Sequence, residues 1–160
     1  MANIHINIGS NQNRRENLSK AIGAIQTVFE NTVFSRVYES KAFGFKGDNF
    51  YNIGINATTH LTISKVVSVL HDIEDNLGRD REVPKFSSRS IDLDLTLYDE
   101  VINQRHNLPR GDILKYNFVL MPLAELSPNL IHPQQHKTYD QLRATMNELK
   151  SYNIRILNKE

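Results

Sequence analysis

The most regular pattern in the chain runs from Ile91 to Leu97, where apolar and polar residues alternate without interruption. Alternation with a period of two is typical of a β-strand that buries one face. We therefore expect the apolar side chains of this strand to enter the core; they are Ile91, Leu93, Leu95 and Leu97. Asp92 and Asp94 are expected beside each other on the opposite face, about 7 Å apart at their Cα atoms.

Two neighbouring carboxylates on one face of a strand allow two interpretations. Aspartate is uncommon in strands, and two like charges on one face repel each other unless a cation lies between them. Oxygen ligands are those that Mg²⁺ prefers, and the ion is commonly held jointly by carboxylates and phosphates. Asp92 and Asp94 therefore indicate a metal site. The alternative is an ordinary solvated strand face, and the pair alone does not decide between the two.

The rest of the chain predicts alternating strands and helices. Apolar periodicity indicates strands over residues 4–8, 33–40 and 50–59, and amphipathic helices over residues 13–30 and 63–77. Gly78 is placed to end the second helix. Beyond Pro109 the patterns are shorter and indicate helices near residues 119–126 and 139–149 and a strand at 154–157. The order β-α-β-β-α-β predicts a ferredoxin-like α+β sandwich with a C-terminal extension, in which helices flank a mostly antiparallel sheet.

Length and charge narrow the classes of function. The 160 residues suit a single domain spanning residues 1–160. A net charge of +1 gives no strong field to attract nucleic acid or a membrane, and no apolar run reaches the length of a transmembrane helix. The absence of cysteine excludes disulfides and thiolate metal sites. Because the N-terminus has no signal-peptide pattern, we expect a cytoplasmic protein, and we expect a monomer.

A basic segment precedes the acidic strand. Residues 79–89 lack periodicity and are predicted to form a loop, whose basic residues are Arg79, Arg81, Lys85 and Arg89. Arginine presents a planar set of donors that matches phosphate oxygens, so such a loop beside two carboxylates suits phosphoryl transfer. The alternative is a solvated loop in which Asp80 and Glu82 pair with the basic residues. The chain has no G-x-x-x-x-G-K-[ST] motif, which excludes a P-loop nucleotide site.

Five short segments agree in order and spacing with one known family. They are Ile8–Asn11, Phe50–Asn52, Leu77–Arg81, Ser88–Asp94 and Asn117–Pro128. On these segments the chain resembles the 6-hydroxymethyl-7,8-dihydropterin pyrophosphokinase family of folate synthesis, nearly from end to end. The last two segments are the specific ones, whereas the Gly-Ser-Asn of the first is weak by itself.

The resemblance implies that ATP gives a diphosphate group to a pterin alcohol and that AMP is released. It assigns two Mg²⁺ ions to Asp92 and Asp94 and gives catalytic roles to Arg81, Arg89 and Asp94. Nucleotide-binding positions are implied at His71, Glu74, Arg79, Arg81, Lys85, Arg89, Leu95, Arg105 and Arg110. Pterin-binding positions are implied at Ser40, Lys41, Phe43, Phe50, Asn52, Phe86 and Phe118. The pterin would stack between Phe50 and Phe118, for which the alternative is ordinary core packing.

The implied reaction needs no covalent intermediate, because positioning and charge neutralisation carry this kind of transfer. The hydroxymethyl oxygen would attack the β-phosphorus of ATP. Its proton would pass to Asp94 or to a metal-held water, and the sequence leaves both acceptors open.

The chain departs from the family pattern around the nucleotide and in two loops. Lys85–Arg89 replaces an Arg-Trp-Gly-Pro-Arg stretch, and Ser40–Phe43 replaces a proline-rich one. Arg110 stands where the family has histidine, Tyr116 where it has arginine, and His71 where glutamine is frequent. These changes predict either the family reaction with altered kinetics or a paralogue that acts on a related pterin.

Other classes of function remain as alternatives. One is a pterin-binding or ligand-sensing domain that has lost turnover. Another is a ferredoxin-like RNA-binding module, which is disfavoured because a strand face bearing Asp92 and Asp94 repels phosphate. His132 and His136 have ligand-like spacing, but Pro133 argues against a helix there, so both are expected on the surface.

Overall fold

The computed structural model of the protein describes residues 1–41, 48–78 and 91–158. Its strands are β1 (Ala2–Ser10), β2 (Glu30–Phe34), β3 (Val37–Ser40), β4 (Phe50–Thr59), β5 (Asp92–Tyr98) and β6 (Ser151–Tyr152). Its helices are α1 (Arg14–Val28), α2 (Ile63–Asn76), α3 (Asn117–Leu126) and α4 (Tyr139–Arg143). Short 3₁₀ helices lie at Gly111–Leu114 and Ile154–Asn158. None of the helices in these ranges is both long and apolar enough to cross a lipid bilayer.

The strands form one antiparallel sheet in the order β5-β1-β4-β3-β6, with β2 also paired to β4. Because β1 and the β2–β3 pair both run antiparallel to β4, they point in the same direction. The helix α1 therefore makes a crossover between parallel, non-adjacent strands. This arrangement confirms the predicted ferredoxin-like sandwich.

One strand was expected over residues 33–40, and that expectation is wrong. The chain forms β2 and β3 instead. The Ser35 amide still donates to the Gly54 carbonyl of β4 at 2.9 Å, but the return bond goes to a side chain. Ser35 Oγ accepts a hydrogen bond from Gly54 N at 2.9 Å. The Arg36 amide turns away to donate to the Glu125 carboxylate at 3.0 and 3.1 Å. Side-chain acceptors on Ser35 and Glu125 thus take the place of backbone acceptors where the strand divides.

The first face of the sheet holds the main core. The alternating isoleucines of β1 and β4 meet the apolar stripes of α1 and α2, and the fully buried contributors include Ile6, Ile8, Leu18, Ile25, Ile53, Ile55 and Val66. Burying one such side chain stabilises the fold by roughly 1.5–3 kcal/mol. The strand and helix periodicities predicted from sequence are confirmed on this face.

The helix α2 begins and ends at residues whose chemistry favours it. The Thr62 hydroxyl accepts a hydrogen bond from Lys65 N at 3.3 Å and so caps the first turn. After the helix, Gly78 takes a φ of +84°, a left-handed conformation that costs glycine little. The predicted stop at Gly78 is confirmed.

The second face of the sheet is covered by α3. A Cβ at Gly54 would come within 2.8 Å of both the Pro122 Cβ and the His5 Cε1 atoms. Glycine at this position therefore lets the helix and the His5 ring approach the strand closely. A smaller apolar cluster under α3 includes Ile113, Leu120, Leu123 and Tyr139.

Leu97 joins this second cluster, which corrects the expectation that it shares a core face with Leu95. Ile6 pairs with Leu95, whereas the next residue back along β1, His5, pairs with Leu97. This register shift is a β-bulge that places an extra residue, Thr96, on β5. The bulge turns Leu97 to the other side of the sheet.

Pro122 lies inside α3 and leaves one helical carbonyl without its usual donor. The carbonyl four residues earlier is that of Phe118. Asn7, on β1, donates its Nδ2 to this oxygen at 3.3 Å. The start of α3 is therefore tied to β1, an interior strand of the sheet.

The C-terminal expectations are partly wrong. The helix expected near residues 139–149 is only the five-residue α4, and the segment expected as a strand at 154–157 is a 3₁₀ helix. Its side chains Ile154, Ile156 and Leu157 pack against the main core, so burial selects this geometry without a strand partner. Pairing with β3 is provided by β6 instead.

Candidate active site

The second face of the sheet brings the acidic pair beside a row of small and amide residues. Asp92 lies opposite Gly9 of β1, and Asp94 lies opposite Asn7. Both carboxylates are half-buried. The predicted adjacency of Asp92 and Asp94 on one face is therefore present, on the second face of the sheet.

Arg110 contacts the acidic pair directly. Its Nη2 atom lies 3.4 Å from Asp94 Oδ1, and its Nε donates to Asp112 Oδ2 at 3.2 Å. The Arg110 backbone amide also donates to the Thr96 carbonyl at 3.0 Å, which fixes this segment along the outer edge of β5. The guanidinium is thus shared between two carboxylates, one of them from the predicted metal pair.

A cavity of about 270 Å³ opens beside Asp94, between α2, β5 and the segment before α3. Four of the residues predicted to bind the nucleotide line it: His71, Leu95, Arg105 and Arg110. His106 contributes to the same wall. The lining carries two guanidinium groups against one carboxylate, that of Asp94, and this excess of positive charge suits an anionic ligand.

Glu74, which the resemblance implies to lie near the nucleotide, belongs to α2 and contacts the beginning of β5. It is buried, with 3% of its surface exposed. Its Oε2 atom accepts a hydrogen bond from the Leu93 backbone amide at 2.8 Å. Glu74 therefore fastens α2 to the beginning of the acidic strand.

Asn52 occupies the centre of the predicted pterin region and is buried. Its Nδ2 donates to Ser40 Oγ at 2.8 Å and to the Tyr38 carbonyl at 3.2 Å. A Cβ at Gly9 would lie 3.1 Å from Asn52 Oδ1, so glycine leaves room for this oxygen beside β1. The amide is thus held in one orientation, with its oxygen beside Gly9 of β1.

The two aromatic rings predicted to hold the pterin belong to different elements, Phe50 to β4 and Phe118 to α3. Phe50 begins β4 and is half-buried, and a Cβ at Gly9 would lie 3.9 Å from its Cδ1 atom. Phe118, in the first turn of α3, stacks on Tyr116 with ring centroids 4.9 Å apart and an interplanar angle of 22°. Tyr116, which replaces the family arginine, thus supports one face of Phe118. A cavity of about 720 Å³ is lined by Phe118, Ser40 and Lys41 among others.

Several predicted site residues lie outside the described residues. They are Phe43, Arg79, Arg81, Lys85, Phe86 and Arg89. Their predicted roles therefore stay predictions. Within the described ranges, no group of three or more histidine, aspartate or glutamate side chains is arranged to hold a metal ion.

Sequence reasoning missed two polar residues on the second face. Asn7 alternates with Ile6 and Ile8, which indicated its face but gave it no role. His5 is 1% exposed, and its Nδ1 lies 2.7 Å from Asn56 Oδ1. Burial lowers the pKa of His5 to about 4, so this ring is neutral at physiological pH.

His132 is also buried, which corrects its expected surface position. Its Nδ1 accepts hydrogen bonds from the Gln134 and Gln135 amides at 3.1 and 3.2 Å. Burial lowers the pKa of His132. Its role is to stabilise a turn.

Comparisons with known proteins agree on one family. A family model described as 7,8-dihydro-6-hydroxymethylpterin-pyrophosphokinase matches residues 5–128. The chain is 35% identical over 156 residues to a 2-amino-4-hydroxy-6-hydroxymethyldihydropteridine pyrophosphokinase of Aquifex aeolicus, covering 95% of this chain and 96% of that protein. It is 30% identical to the folic acid synthesis protein FOL1 of Dictyostelium discoideum over 76% of this chain.

Among solved structures, the chain resembles a Plasmodium falciparum HPPK-DHPS structure with a TM-score of 0.73 at 11% identity, covering 90% of this chain. At that identity the likeness concerns the fold. The chain spans 45% of the length of that structure and 18% of the length of the Dictyostelium protein.

Proposed function

The chain belongs to the 7,8-dihydro-6-hydroxymethylpterin-pyrophosphokinase family, and we propose that it transfers a diphosphate group from ATP to 6-hydroxymethyl-7,8-dihydropterin in folate synthesis. The products are the pterin diphosphate and AMP. The proposal rests on where the predicted metal and pterin residues lie in the fold. The acidic pair on β5 and the polar and aromatic residues of the predicted pterin region occupy the same face of one sheet.

The carboxylates of Asp92 and Asp94 fit a hard divalent cation. They are half-buried oxygen donors on adjacent positions of one strand face, and the described residues add no third ligand of this kind. Such a donor set suits Mg²⁺, which keeps waters and takes its remaining ligands from substrate phosphates. We propose two Mg²⁺ ions, and when bound they neutralise part of the triphosphate charge.

The cavity beside Asp94 is the proposed site of the nucleotide. Arg105 and Arg110 provide fixed positive charge for phosphate oxygens, while Leu95 offers an apolar surface. Arg81 and Arg89 are proposed to contact the phosphates and the departing AMP. Glu74 supports this site indirectly, because it holds the beginning of the acidic strand against α2.

The pterin is proposed to lie between the nucleotide and the β3 edge of the sheet. Asn52 is pre-oriented by Ser40 and by the Tyr38 carbonyl, so its amide oxygen is available to a donor on the pterin edge. The Phe118 ring stacks on Tyr116 and is only partly buried, and we propose that its accessible part contacts the flat heteroaromatic ring. The stack also lowers the freedom of Phe118 before substrate arrives.

In the transfer step, the hydroxymethyl oxygen forms a bond to the β-phosphorus while the bond between that phosphorus and the α,β-bridging oxygen breaks. The leaving AMP takes the electron pair. The hydroxyl proton goes to Asp94 or to a water beside it. The protein contributes mainly by holding the two reactants in line and by placing positive charge around the phosphates.

Product analysis with ATP labelled at the β-phosphorus tests this function. We expect the label to appear in a diphosphate on the pterin, with one AMP formed per labelled product. Label released as inorganic phosphate would contradict the proposal. Binding of both ligands with no AMP would instead indicate a pterin-binding domain without turnover, and preference for another pterin alcohol would indicate a paralogue.

The oligomeric state of the chain, its location and its partners are proposals as well. We propose one catalytic domain acting as a monomer in the cytoplasm, with no nucleic acid partner. Sedimentation of the purified chain with and without substrates measures the oligomeric state.

A further inference from the structure

Arg110 is held between the acidic pair and a carboxylate outside it. Its Nη2 faces Asp94 at 3.4 Å, while its Nε is bonded to Asp112 at 3.2 Å. The side chains of Arg110, Asp94 and Asp112 are 22%, 38% and 19% exposed, so the three groups are partly withdrawn from water. The charge that a divalent cation would meet at Asp94 is therefore already partly neutralised by the protein.

The anchoring of Arg110 allows one end of its guanidinium to change partner. Its backbone is fixed to β5 through the Thr96 carbonyl, and its Nε is fixed to Asp112. Neither contact involves Nη2. The group also lines the cavity of about 270 Å³ that contains Arg105 and His71. From the same anchor, the Nη atoms can face either the Asp94 carboxylate or an anion inside that cavity.

We propose that Arg110 is an internal counter-cation for Asp94 that a divalent metal displaces and that the nucleotide phosphates then take up. This inference rests on the proposed function, because it assumes that Asp94 binds metal and that the cavity binds nucleotide. The new element is that a single arginine, Arg110, makes metal binding and nucleotide binding depend on each other. Arg110 is thus a positioning residue that opposes metal alone and favours metal together with nucleotide.

The direction of each effect follows from charge. Without nucleotide, the guanidinium competes with the cation for Asp94 and repels it, so Arg110 weakens metal binding. With nucleotide present, the same guanidinium contacts a phosphate and strengthens binding of the complex. A residue that weakens the binding of metal alone and strengthens the binding of metal with nucleotide increases the coupling free energy between the two ligands.

The test measures both affinities in an Arg110→Gln variant. Mn²⁺ alone is titrated into the protein, with free Mn²⁺ counted by electron paramagnetic resonance. We expect the variant to bind Mn²⁺ about threefold to tenfold more tightly than the natural chain, the range for a partly exposed charge contact. We expect it to bind the Mn²⁺ complex of α,β-methylene-ATP about tenfold more weakly. A purely structural role would weaken both.

Three further variants make the result specific. Lys20→Gln removes the same charge from a residue paired with Glu16 on α1, behind the opposite face of the sheet, and should change neither affinity. Arg110→Lys keeps a cation in place and should restore the weaker Mn²⁺ binding in part. Asp94→Asn should abolish or greatly weaken Mn²⁺ binding.

Unchanged or weaker Mn²⁺ binding in Arg110→Gln, with Asp94→Asn showing the expected loss, would overturn this inference and leave the proposed metal site standing. If Asp94→Asn bound Mn²⁺ as the natural chain does, the proposed metal site itself would be wrong. Far-UV circular dichroism of every variant establishes that it is folded before the titration.

Discussion

The two faces of the central sheet are built from the same strands but from different residue types. On the first face, isoleucines of β1 and β4 pack against α1 and α2. On the second face, the alternate positions of those strands carry histidine, asparagine and glycine beneath α3. Because side chains alternate along a strand, successive residues contribute to the packing face and to the face that carries the proposed active site.

The difference teaches how the chain separates stability from chemistry. Apolar residues on the first face gain free energy by burial and need few specific contacts. Buried polar residues on the second face depend on specific hydrogen bonds, as Asn52 does on Ser40 and Asn7 does on the Phe118 carbonyl. Substitutions on the first face should change the free energy of unfolding, and those at the exposed end of the second face should change catalysis.

The largest effect is expected from Asp94→Ala. It removes a carboxylate proposed to hold metal, so kcat/KM should fall on the order of 10³-fold, about 4 kcal/mol of transition-state stabilisation. The free energy of unfolding should change by less than about 1 kcal/mol, because the Asp94 ion pair is partly exposed. Steady-state kinetics and urea denaturation measure the two quantities.

Asp99→Ala is the matched control, since Asp99 follows the same strand at its far end and accepts a bond from Asn3 N. Equal loss of activity in both variants would break the assignment of chemistry to the acidic pair.

The opposite pattern is expected for Ile25→Ala on the first face. Ile25 is fully buried in α1, so the substitution should lower the free energy of unfolding by about 2–5 kcal/mol. At a temperature where the variant stays folded, kcat should remain near that of the natural chain. Val28→Ala, on the exposed side of the same helix, should cost less than about 0.5 kcal/mol. A selective loss of kcat in Ile25→Ala would show that the faces are not separate.

Gly54→Ala should change both the free energy of unfolding and the activity, because this position lies where the second face meets α3. The new Cβ would lie 2.8 Å from Pro122 Cβ and from the His5 ring. We expect a loss of about 1–3 kcal/mol in unfolding free energy and a higher KM for the pterin, since α3 carries Phe118. Gly23→Ala, where a Cβ meets nothing within 4 Å, is the control and should be neutral or slightly stabilising. An unchanged pterin KM in Gly54→Ala would argue that α3 does not position the ring.

The smallest effect concerns pH and the buried His5 on the second face. Its folded pKa of about 4 lies below the value of 6.5 in the unfolded chain, so the unfolded state binds more protons between these values. Stability is therefore lost as the pH falls below 6.5, by about 1 kcal/mol between pH 7 and pH 5.5. Urea denaturation across this range measures the slope. His5→Phe, which does not titrate, should flatten it, and an equal slope in both proteins would contradict the assignment to His5.

Much of the fold was predictable because its patterns are local. The periodicity of β1, α1, β4 and α2 and the stop at Gly78 depend on neighbouring residues, and the structure confirms them. The turn of Leu97 to the second face was not predictable, because the bulge depends on how β5 pairs with β1. The burial of Glu74 likewise depends on a distant backbone amide, that of Leu93.

The candidate site was predictable only in part, for the same reason. Alternation placed Asp92 and Asp94 together, and the family resemblance named their surroundings. The contact between Arg110 and Asp94 joins residues 16 apart in a segment without periodicity, so no local pattern indicates it. Asn7 received no role from sequence because its partner is the carbonyl left by a proline in α3.

The strand that carries the acidic pair lies at one edge of the sheet, and an edge strand exposes backbone groups to which another chain can add. Here the Leu93 amide is taken by Glu74, and the Thr96 carbonyl is taken by the Arg110 amide. The contacts that hold the proposed active site therefore also protect this edge against self-association, and we expect a protein altered at Glu74 to aggregate more readily.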